Sequence, residues 1–213
     1  REAQAEVDRA KETLTVKAQA LKKVRVAAAP KLCDAVTKQM SHLQMGSAQI
    51  ELNFEDLPFE QWNKVGSTKI ELMYKPSAQM TARPLRKIAS GGEVSRVMLA
   101  CKVVLGESDV CDTLVFDEVD AGVGGATAVA LAEVLAQLAK THQVIVVTHL
   151  PQVAVMASKQ YVVSKTEEHN ALPITSLTEV SGTQREEEIA RMLSGSITEA
   201  SLAHAHELLS EVR

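Results

Sequence analysis

The sequence of 213 residues is poor in aromatic side chains, which make up 3% of it, and it contains three cysteines. Cys33, Cys101 and Cys111 form no C-x-x-C pair, which argues against a zinc site and predicts free thiols in a reducing compartment. No apolar run approaches the roughly 20 residues that span a membrane, and no signal peptide is recognisable. The chain also lacks the G-x-x-x-x-G-K-[ST] loop that cradles nucleotide phosphates.

Acidic residues outnumber basic residues by 27 to 23, which gives a net charge of -4. A protein that coats nucleic acid over its whole surface is usually basic, so we expect any nucleic-acid contact to be local. The hydrophobic content of 46% is enough for a buried core, and the length fits one domain with an appendage. Because the chain opens within a helical pattern and without Met, we expect it to belong to a longer protein.

Residues 1–45 carry a helical pattern. Apolar residues recur every seven positions on the first seam, at Val7, Leu14, Leu21 and Ala28. The second seam position is imperfect because it includes the charged Lys17. The pattern therefore predicts either one arm of a coiled coil or a solvated helix that lies on a globular head. Pro30 predicts a bend, followed by a second helix that begins near Leu32.

Two segments after Gly46 alternate polar and apolar residues, as half-buried strands do. They are residues 49–54 and 69–74, and the segment between them holds Pro58 and the single Trp62, which predicts a loop. A second loop is predicted from Pro76 to Pro84.

From Ser90 onward, helical periods alternate with short, continuous apolar runs. This alternation predicts an α/β fold with a parallel sheet, because strands covered on both faces are apolar throughout. The predicted order is a helix from about residue 94, a strand at 113–116, a helix at 126–138 and a strand at 144–147. Further strands are predicted at 161–163 and 174–177, the last one antiparallel or at an edge, and a helical tail at 183–213 with a break at Gly195.

Ser90-Gly91-Gly92-Glu93 opens the first of these helices. Ser and Glu at this spacing form a capping box, with Ser90 as the N-cap residue. Capping does not explain two glycines in the first turn, each of which costs roughly 1 kcal/mol of helix propensity relative to alanine. Paired glycines let a ligand approach the backbone, and exposed N–H groups at a helix N-terminus bind anions. Both interpretations, helix capping and phosphate binding, stay open at this point.

Asp117 and Glu118 follow the apolar strand 113–116. They are either the point at which a strand leaves the core for a polar loop or a pair of functional acids. In the functional interpretation, Asp117 holds Mg²⁺ and Glu118 polarises an attacking water as general base. The carboxyl ends of parallel strands are where open α/β sheets bind ligands, which favours the functional interpretation.

His149 closes the next apolar strand, so we expect it at the same sheet edge as Asp117 and Glu118. A single histidine is more often a structural residue, but at this edge it can hydrogen-bond a terminal phosphate. His204 and His206 are two residues apart on a predicted helix and cannot share a face, which argues against a metal site there.

The three motifs together resemble a known family of nucleotide-dependent proteins. Residues 90–96 resemble the signature motif of ABC ATPases, 116–125 the Walker B strand with its loop, and 148–154 the switch-histidine segment. Val-Asp-Ala after the two acids is typical of SMC-like heads. The Gly-Val-Gly-Gly run that follows, with Gly124 where most cassettes have Asp, is similar to the RecN family. These are bacterial ATPases of DNA double-strand-break repair, and residues 187–193 and 201–205 also resemble their tail.

The resemblance implies an architecture in two parts. Residues 1–45 would be the returning coiled-coil arm with a linking helix. Residues 46–213 would be the C-terminal lobe of an ABC-type P-loop NTPase head, with a mainly parallel sheet and flanking helices. The N-terminal lobe of the same polypeptide would carry the phosphate loop, so this chain alone is expected to be inactive. Two such heads would form a homodimer around two ATP molecules and act on DNA, in the cytoplasm at the nucleoid and without a membrane.

The resemblance also implies a role for each candidate residue. Asp117 would bind Mg²⁺, and Glu118 and His149 would be catalytic toward the ATP of their own head. The signature residues would bind ATP held by the opposite head; they are Ser90, Gly91, Gly92 and Glu93. Asp120, Ala121 and Gly122 would lie in a loop at the dimer seam.

Two alternatives remain at the level of sequence. The first is an ABC ATPase with another task, either in chromosome organisation or in transport, although the helical arm and the Val-Asp-Ala loop disfavour transport. The second is a non-catalytic coiled-coil interaction module in which the three motifs are coincidental.

Overall fold

The computed structural model describes residues 2–106, 111–166 and 173–212. Arg1 and Arg213, the ends of the two predicted helical segments, lie outside these ranges. The chain divides into two compact units, residues 1–104 and 105–213. The sequence predicts a boundary between residues 1–45 and 46–213. In the structure the first helix contacts the first strand, and both lie within the first unit. That boundary stays a prediction.

Helix α1 is a single helix of 41 residues, Glu2–His42, with Pro30 inside it. The predicted second helix after Pro30 is therefore wrong. Proline removes one main-chain hydrogen bond and crowds the preceding turn, but the turns beyond Pro30 are anchored by packing. Val36 and Met40 are fully buried there. In the first half of α1, Val7 and Leu14, two residues of the predicted seam, are each 47% exposed.

The first unit contains an antiparallel sheet of three strands, in the order β1 (Gln49–Asp56), β2 (Thr68–Lys75) and β3 (Arg83–Pro84). Alternation along β1 and β2 puts Ile50 and its partner Tyr74 on the buried face. Thr37 of α1 accepts a hydrogen bond from the Ile50 N–H at 3.3 Å. The two predicted strands are confirmed, and each extends one or two residues further than predicted.

The rest of the first unit connects this sheet to helix α2 (Gly91–Leu105). The predicted loop between β1 and β2 includes a short 3-10 helix, Phe59–Gln61, and the Trp62 indole N–H donates to the Leu57 carbonyl at 2.9 Å. A second 3-10 helix, Leu85–Lys87, follows β3. The predicted loop at 76–84 ends in β3, a strand that the sequence pattern does not indicate.

The second unit begins with the predicted βαβ alternation. Strand β4 (Thr113–Phe116), helix α3 (Ala126–Leu138) and strand β5 (Gln143–Val146) follow one another, and β4 and β5 pair in parallel with Leu114 opposite Val144. The α/β class is confirmed. The parallel sheet is smaller than predicted, however: it has two strands, whereas the other paired strands of the described residues are antiparallel.

The remainder of the second unit consists of a short helix, a hairpin and two terminal helices. Their bounds are α4 (Pro151–Ala154), β6 (Gln160–Thr166), β7 (Ile174–Val180), α5 (Gly182–Ser194) and α6 (Glu199–Glu211). The hairpin is antiparallel, as predicted for its second strand. Gly195, with φ of 76°, ends α5 in the left-handed conformation, which confirms the predicted break.

A core under the terminal helices links α4 to α5 and α6. It is formed by Ala154, Val155, Ile189, Ala190 and Ala205, with Leu202, Leu208 and Met192 packed around it. Among the described residues, no helix is both long and apolar enough to cross a membrane.

Candidate functional site

The parallel pair β4 and β5 brings two of the sequence motifs to one sheet edge. Phe116 and Val146 are partners at the ends of the two strands, and the Val147 N–H donates to the Phe116 carbonyl at 3.0 Å. The residues that follow leave the sheet side by side. Asp117 and Glu118 continue from β4, His149 continues from β5, and all three are exposed. The expectation that these side chains share a sheet edge is therefore confirmed in this unit.

Glu118 has an unusual backbone conformation. Its φ of 56° lies in the left-handed region, which only one other non-glycine residue, Gln44, adopts among the described residues. This conformation brings the Cβ atom close to the following carbonyl, at a cost of roughly 1–2 kcal/mol. The chain then turns sharply, and the Ala121 N–H donates to the Glu118 carbonyl at 3.0 Å. Such strain is typical of positions where the direction of a side chain matters more than local stability.

Asp120 is the buried carboxylate of the site. Its side chain is 4% exposed. One oxygen, Oδ2, accepts hydrogen bonds from the Thr148 hydroxyl at 2.5 Å and from the His149 main-chain N–H at 3.0 Å. The same oxygen lies 3.2 Å from the His149 ring nitrogen Nδ1. The network offsets the penalty of a buried carboxylate, because an ionised acid is tolerated in the interior when it is hydrogen-bonded.

The network joins the loop after β4 to the loop after β5. Thr148 also accepts a hydrogen bond from the Leu150 N–H at 3.0 Å, so both ends of the His149 residue are fixed. The imidazole itself remains 70% exposed. A histidine held at its main chain, with most of its ring exposed, can present a ring nitrogen to a ligand.

The resemblance predicts that the loop containing Asp120 lies at a dimer seam. Ala121 and Gly122 are exposed, but the Asp120 side chain is buried against residues of its own chain. The seam assignment for these three residues stays a prediction. No local sequence pattern indicates the contact with His149, because the two residues are 29 positions apart.

The predicted signature residues belong to the first unit. The Ser90 hydroxyl accepts a hydrogen bond from the Glu93 N–H at 3.3 Å, and the Val94 N–H donates to the Ser90 carbonyl at 3.2 Å. Ser90 is therefore the N-cap of α2, as the capping interpretation requires. Gly91 is exposed and Gly92 is buried. Phosphate binding by these residues is compatible with the cap and stays a prediction.

The acids at the sheet edge suit a metal ion that the substrate helps to hold. Among the described residues, no group of three or more His, Cys, Asp or Glu side chains is placed to hold a metal ion. Mg²⁺ commonly binds through one or two carboxylates together with water and substrate phosphates. The exposed Asp117 carboxylate fits that kind of site, whereas a site made entirely of protein ligands does not fit.

Arg185 is a structural residue of the second unit that sequence reasoning missed. Its guanidinium donates to the carbonyls of Ala154, Val155 and Ala157 at 3.1, 3.1 and 2.7 Å. It also donates to the Gln160 side chain at 3.2 Å. Arg185 thereby caps the end of α4, the helix that directly follows the His149 loop. The Arg-Glu-Glu-Glu run indicates only a helix start, and no local pattern points to the carbonyls 28–31 residues away.

Comparison with known proteins places this geometry in a family. The chain is 42% identical over 207 residues to the DNA repair protein RecN of Deinococcus radiodurans, covering 97% of this chain and 36% of the relative. It is 40% identical to RecN of Streptomyces coelicolor, covering 92% of this chain and 36% of the relative. The chain thus spans about a third of the length of the curated relatives it matches. No protein-family model matches the chain.

Solved structures give the same fold at lower identity. The Smc head domain with a coiled coil and joint from Pyrococcus yayanosii matches with a TM-score of 0.56 and 17% identity, covering 99% of this chain and 34% of that one. The Smc head domain with an extended coiled coil from Pyrococcus furiosus, bound to the C-terminal domain of ScpA, matches with a TM-score of 0.54 and 19% identity, covering 100% and 45%. These matches support the α/β head with a helical arm, and the RecN relatives identify the sequence family. The chain therefore belongs to the RecN family of DNA repair proteins.

Proposed function

We propose that this chain is the C-terminal part of an SMC-like ABC ATPase that acts in DNA double-strand-break repair. The observation that carries the proposal is the arrangement of Asp117, Glu118 and His149 at the carboxyl edge of two adjacent parallel strands. That edge is where open α/β sheets bind ligands, and two acids with a histidine are the groups that nucleotide hydrolysis needs.

Each of these residues has a distinct chemical task in the proposed reaction. Glu118 accepts a proton from the water that attacks the γ-phosphate of ATP. His149 donates a hydrogen bond to the terminal phosphate. Asp117 would hold Mg²⁺, which would neutralise charge on the nucleotide phosphates.

The proposed site needs the N-terminal lobe of the same polypeptide. One face of β4 and β5 carries exposed apolar side chains in the described part of the chain: Val115, Ile145 and, directly after β5, Val147 are 66%, 47% and 58% exposed. Parallel strands are ordinarily covered on both faces. Because the relatives are nearly three times as long as this chain, we infer that another part of the polypeptide covers this face and supplies the phosphate loop.

The decisive test uses the full-length protein. Glu118→Gln keeps the shape of the side chain and removes the base, so it should bind ATP with Mg²⁺ but stall before hydrolysis, and the ATP-bound dimer should accumulate. Asp117→Asn should instead weaken Mg²⁺-dependent nucleotide binding. The 213-residue chain alone should show no turnover. Absence of ATP binding and hydrolysis in the full-length protein would favour the non-catalytic interaction module.

The proposed signature motif is tested by mixing variants. Ser90→Arg places a bulky cation at the N-terminus of α2, which should block the γ-phosphate of ATP held by a second head. ATP binding should survive, while dimerisation and hydrolysis fail. Ser90→Ala is the control for the cap, whose loss costs about 1 kcal/mol. Mixing Ser90→Arg with a phosphate-loop variant should restore part of the activity, since one composite site of the heterodimer is intact. A stability loss that accounts for the whole defect would leave only the capping role.

We further propose that DNA contacts the first unit. Residues 1–104 contain 17 Lys and Arg against 11 Asp and Glu, whereas residues 105–213 contain 6 against 16. Residues 13–33 of α1 include five cations and no acid. Three of these cations, Lys17, Lys23 and Lys31, are exposed and form no ion pair with any described residue. A basic segment of this kind can bind the phosphate backbone of DNA, and such contacts do not depend on the base sequence.

Salt dependence tests this assignment in the full-length protein. Replacing Lys17, Lys23 and Lys31 by Gln should reduce the slope of log K against log salt by up to about 2.7, since each phosphate contact contributes about 0.9. A triple variant of exposed lysines in the acidic unit, at Lys140, Lys159 and Lys165, should leave the slope unchanged. Equal effects of both triples would contradict the assignment of DNA to the first unit.

A further inference from the structure

One face of helix α1 lies against the first unit over most of the helix. Toward the N-terminus from the buried Met40, the covered positions recur every three or four residues, as positions on one helix face do. They are Val36, Cys33, Ala29, Arg25, Lys22, Ala18 and Thr15. Positions of the predicted seam, such as Leu14 and Leu21, are exposed. The covered face of α1 is therefore different from the predicted seam.

The segment that follows β1 contacts this covered face through two cations of α1. The Lys22 ammonium lies 2.7 Å from each carboxylate oxygen of Asp56, the last residue of β1. The Arg25 guanidinium donates to the Val65 carbonyl at 2.7 Å. An exposed ion pair alone stabilises a protein little, and Asp56 is 68% exposed, so the second contact matters. We call residues 56–66 the strap.

Close packing extends the contact of the strap along the helix. At Gly66 an added Cβ atom would lie 3.2 Å from the side chains of Leu21 and Arg25, so the main chain of the strap lies directly on α1. Further toward the N-terminus, the Lys11 ammonium lies over the Phe59 ring, 5.8 Å from its centre. With a rise of about 1.5 Å per residue, the contacts from Lys11 to Arg25 span roughly 21 Å of α1.

The strap contacts α1 beyond a weak point of the helix. Pro30 has no N–H, so α1 lacks one of its main-chain hydrogen bonds there. On the C-terminal side of Pro30 the helix is anchored by the buried Val36 and Met40. On the N-terminal side, the strap contacts residues 11–25. The strap therefore holds the part of α1 that could otherwise pivot at Pro30.

We propose that the strap fixes the direction in which the N-terminal part of α1 leaves the first unit, and that it thereby sets which helix face is open to DNA. At about 100° per residue, Lys17, Lys23 and Lys31 lie roughly 120–160° around the helix from the centre of the covered face. Because the strap binds Lys22 and Arg25, these three exposed lysines are directed away from the first unit. The role in DNA binding rests on the proposed function of the first unit, whereas the fixed direction of α1 does not depend on it.

Distance measurements between two spin labels on the 213-residue chain test the fixed direction of α1. Unnatural amino acids carry the labels at the exposed Glu12 of α1 and Asn53 of β1, so the native cysteines stay in place. The wild type should give one narrow distance distribution. The double variant Asp56→Asn, Gly66→Ala should broaden the distribution, because it releases the strap without changing any residue of α1.

A matched control separates release of the strap from loss of charge and from backbone strain. It combines Glu60→Gln, which removes another exposed acid of the strap, with Gly46→Ala. Gly46 also has a positive φ, but a Cβ atom there meets nothing within 4 Å. The control should keep the wild-type distribution. A broad distribution in the wild type would overturn the proposal whether or not the variants fold, and so would a narrow one in the folded strap variant.

DNA binding by the full-length protein tests the consequence. Asp56→Asn removes a negative charge beside a basic helix, so charge alone would tighten DNA binding, whereas the proposal predicts the opposite. Asp56→Asn with Gly66→Ala should raise Kd for DNA by about 2–10-fold, because the segment that bears the lysines must then be ordered on binding. Unchanged or tighter binding would overturn the orienting role of the strap. If replacement of Lys17, Lys23 and Lys31 left the salt slope unchanged, the proposed DNA contact would fail instead, and the distance measurement would stand separately.

Discussion

The strained main chain at Glu118 yields a stability prediction of unusual sign. Glycine normally destabilises a protein relative to alanine, because it loses more conformational freedom on folding, by about 0.5–1 kcal/mol. At φ of 56° the balance reverses. A residue with a Cβ atom loses roughly 1–2 kcal/mol in the left-handed conformation, and glycine does not. We therefore expect Glu118→Gly to be more stable than Glu118→Ala.

The expected magnitude follows from these two terms. The difference between the steric cost and the entropic cost is about 0.5–1 kcal/mol in favour of glycine. For a chain of this size, 1 kcal/mol corresponds to a shift of about 2–4 °C in Tm. Glu133 provides the control, since it is exposed in the middle of α3. There Glu133→Gly should be less stable than Glu133→Ala by about 1 kcal/mol, because glycine is a poor helix former.

Thermal and urea denaturation of the 213-residue chain measure both pairs of variants. At Glu118 the glycine variant should have a larger free energy of unfolding than the alanine variant, and at Glu133 a smaller one. A general effect of glycine cannot produce opposite signs at the two positions. Gln44, with φ of 57°, should give the same sign as Glu118. If Glu118→Ala were as stable as Glu118→Gly, the strain attributed to this position would be absent. Although Glu118→Gly should be more stable than Glu118→Ala, it should be inactive in the full-length protein because it lacks the proposed base.

Two further predictions concern residues outside the sheet edge. Burial raises the pKa of the Cys101 thiol to about 11, so its thiolate fraction at pH 8 is of order a hundredfold below that of an ordinary cysteine. Maleimide labelling read by mass spectrometry should therefore modify the exposed Cys111 first, and the Cys101 rate should rise with pH toward 11; equal rates at pH 8 would contradict the assignment. Arg185→Met should lower the free energy of unfolding by about 1–3 kcal/mol, since it leaves carbonyls at the end of α4 without a donor. Arg185→Lys should not restore it, because an ammonium cannot reproduce the planar fork, and recovery with lysine in urea denaturation would refute that geometry.

Local patterns predicted the helices and strands of the second unit well. The apolar run at 113–116 and the alanine-rich period at 126–138 coincide with β4 and α3 because their burial is decided by neighbours close in sequence. The prediction failed at Pro30, where the pattern contains a helix breaker. The helix continues there because Val36 and Met40 are fully buried, and such tertiary packing outweighs the loss of one hydrogen bond.

The sequence predicts which residues lie at the candidate site, but it does not predict the hydrogen bonds between them. Asp117, Glu118 and His149 were recognised because each ends an apolar strand, and parallel pairing of those strands is a local consequence of the βαβ pattern. The partner of Asp120 was not predictable, since an acid two residues after a strand ordinarily belongs to a solvated loop. Its hydrogen bonds with Thr148 and His149 span 28 and 29 positions, a separation at which sequence patterns carry no information.

The strain at Glu118 and the burial of Asp120 have one physical origin. Glu118 is exposed, whereas Val119 and Asp120 directly after it are 0% and 3% exposed. Successive residues of an extended strand face opposite sides, so the burial of both Val119 and Asp120 requires the chain to leave the extended conformation, and it turns at Glu118. Burial of the Val119 side chain contributes about 1.5–3 kcal/mol, which is enough to offset the roughly 1–2 kcal/mol of the left-handed conformation. The same turn directs the Asp120 carboxylate inward to the donors of the β5 loop. The general base thus lies in a strained position because the residues behind it anchor the histidine.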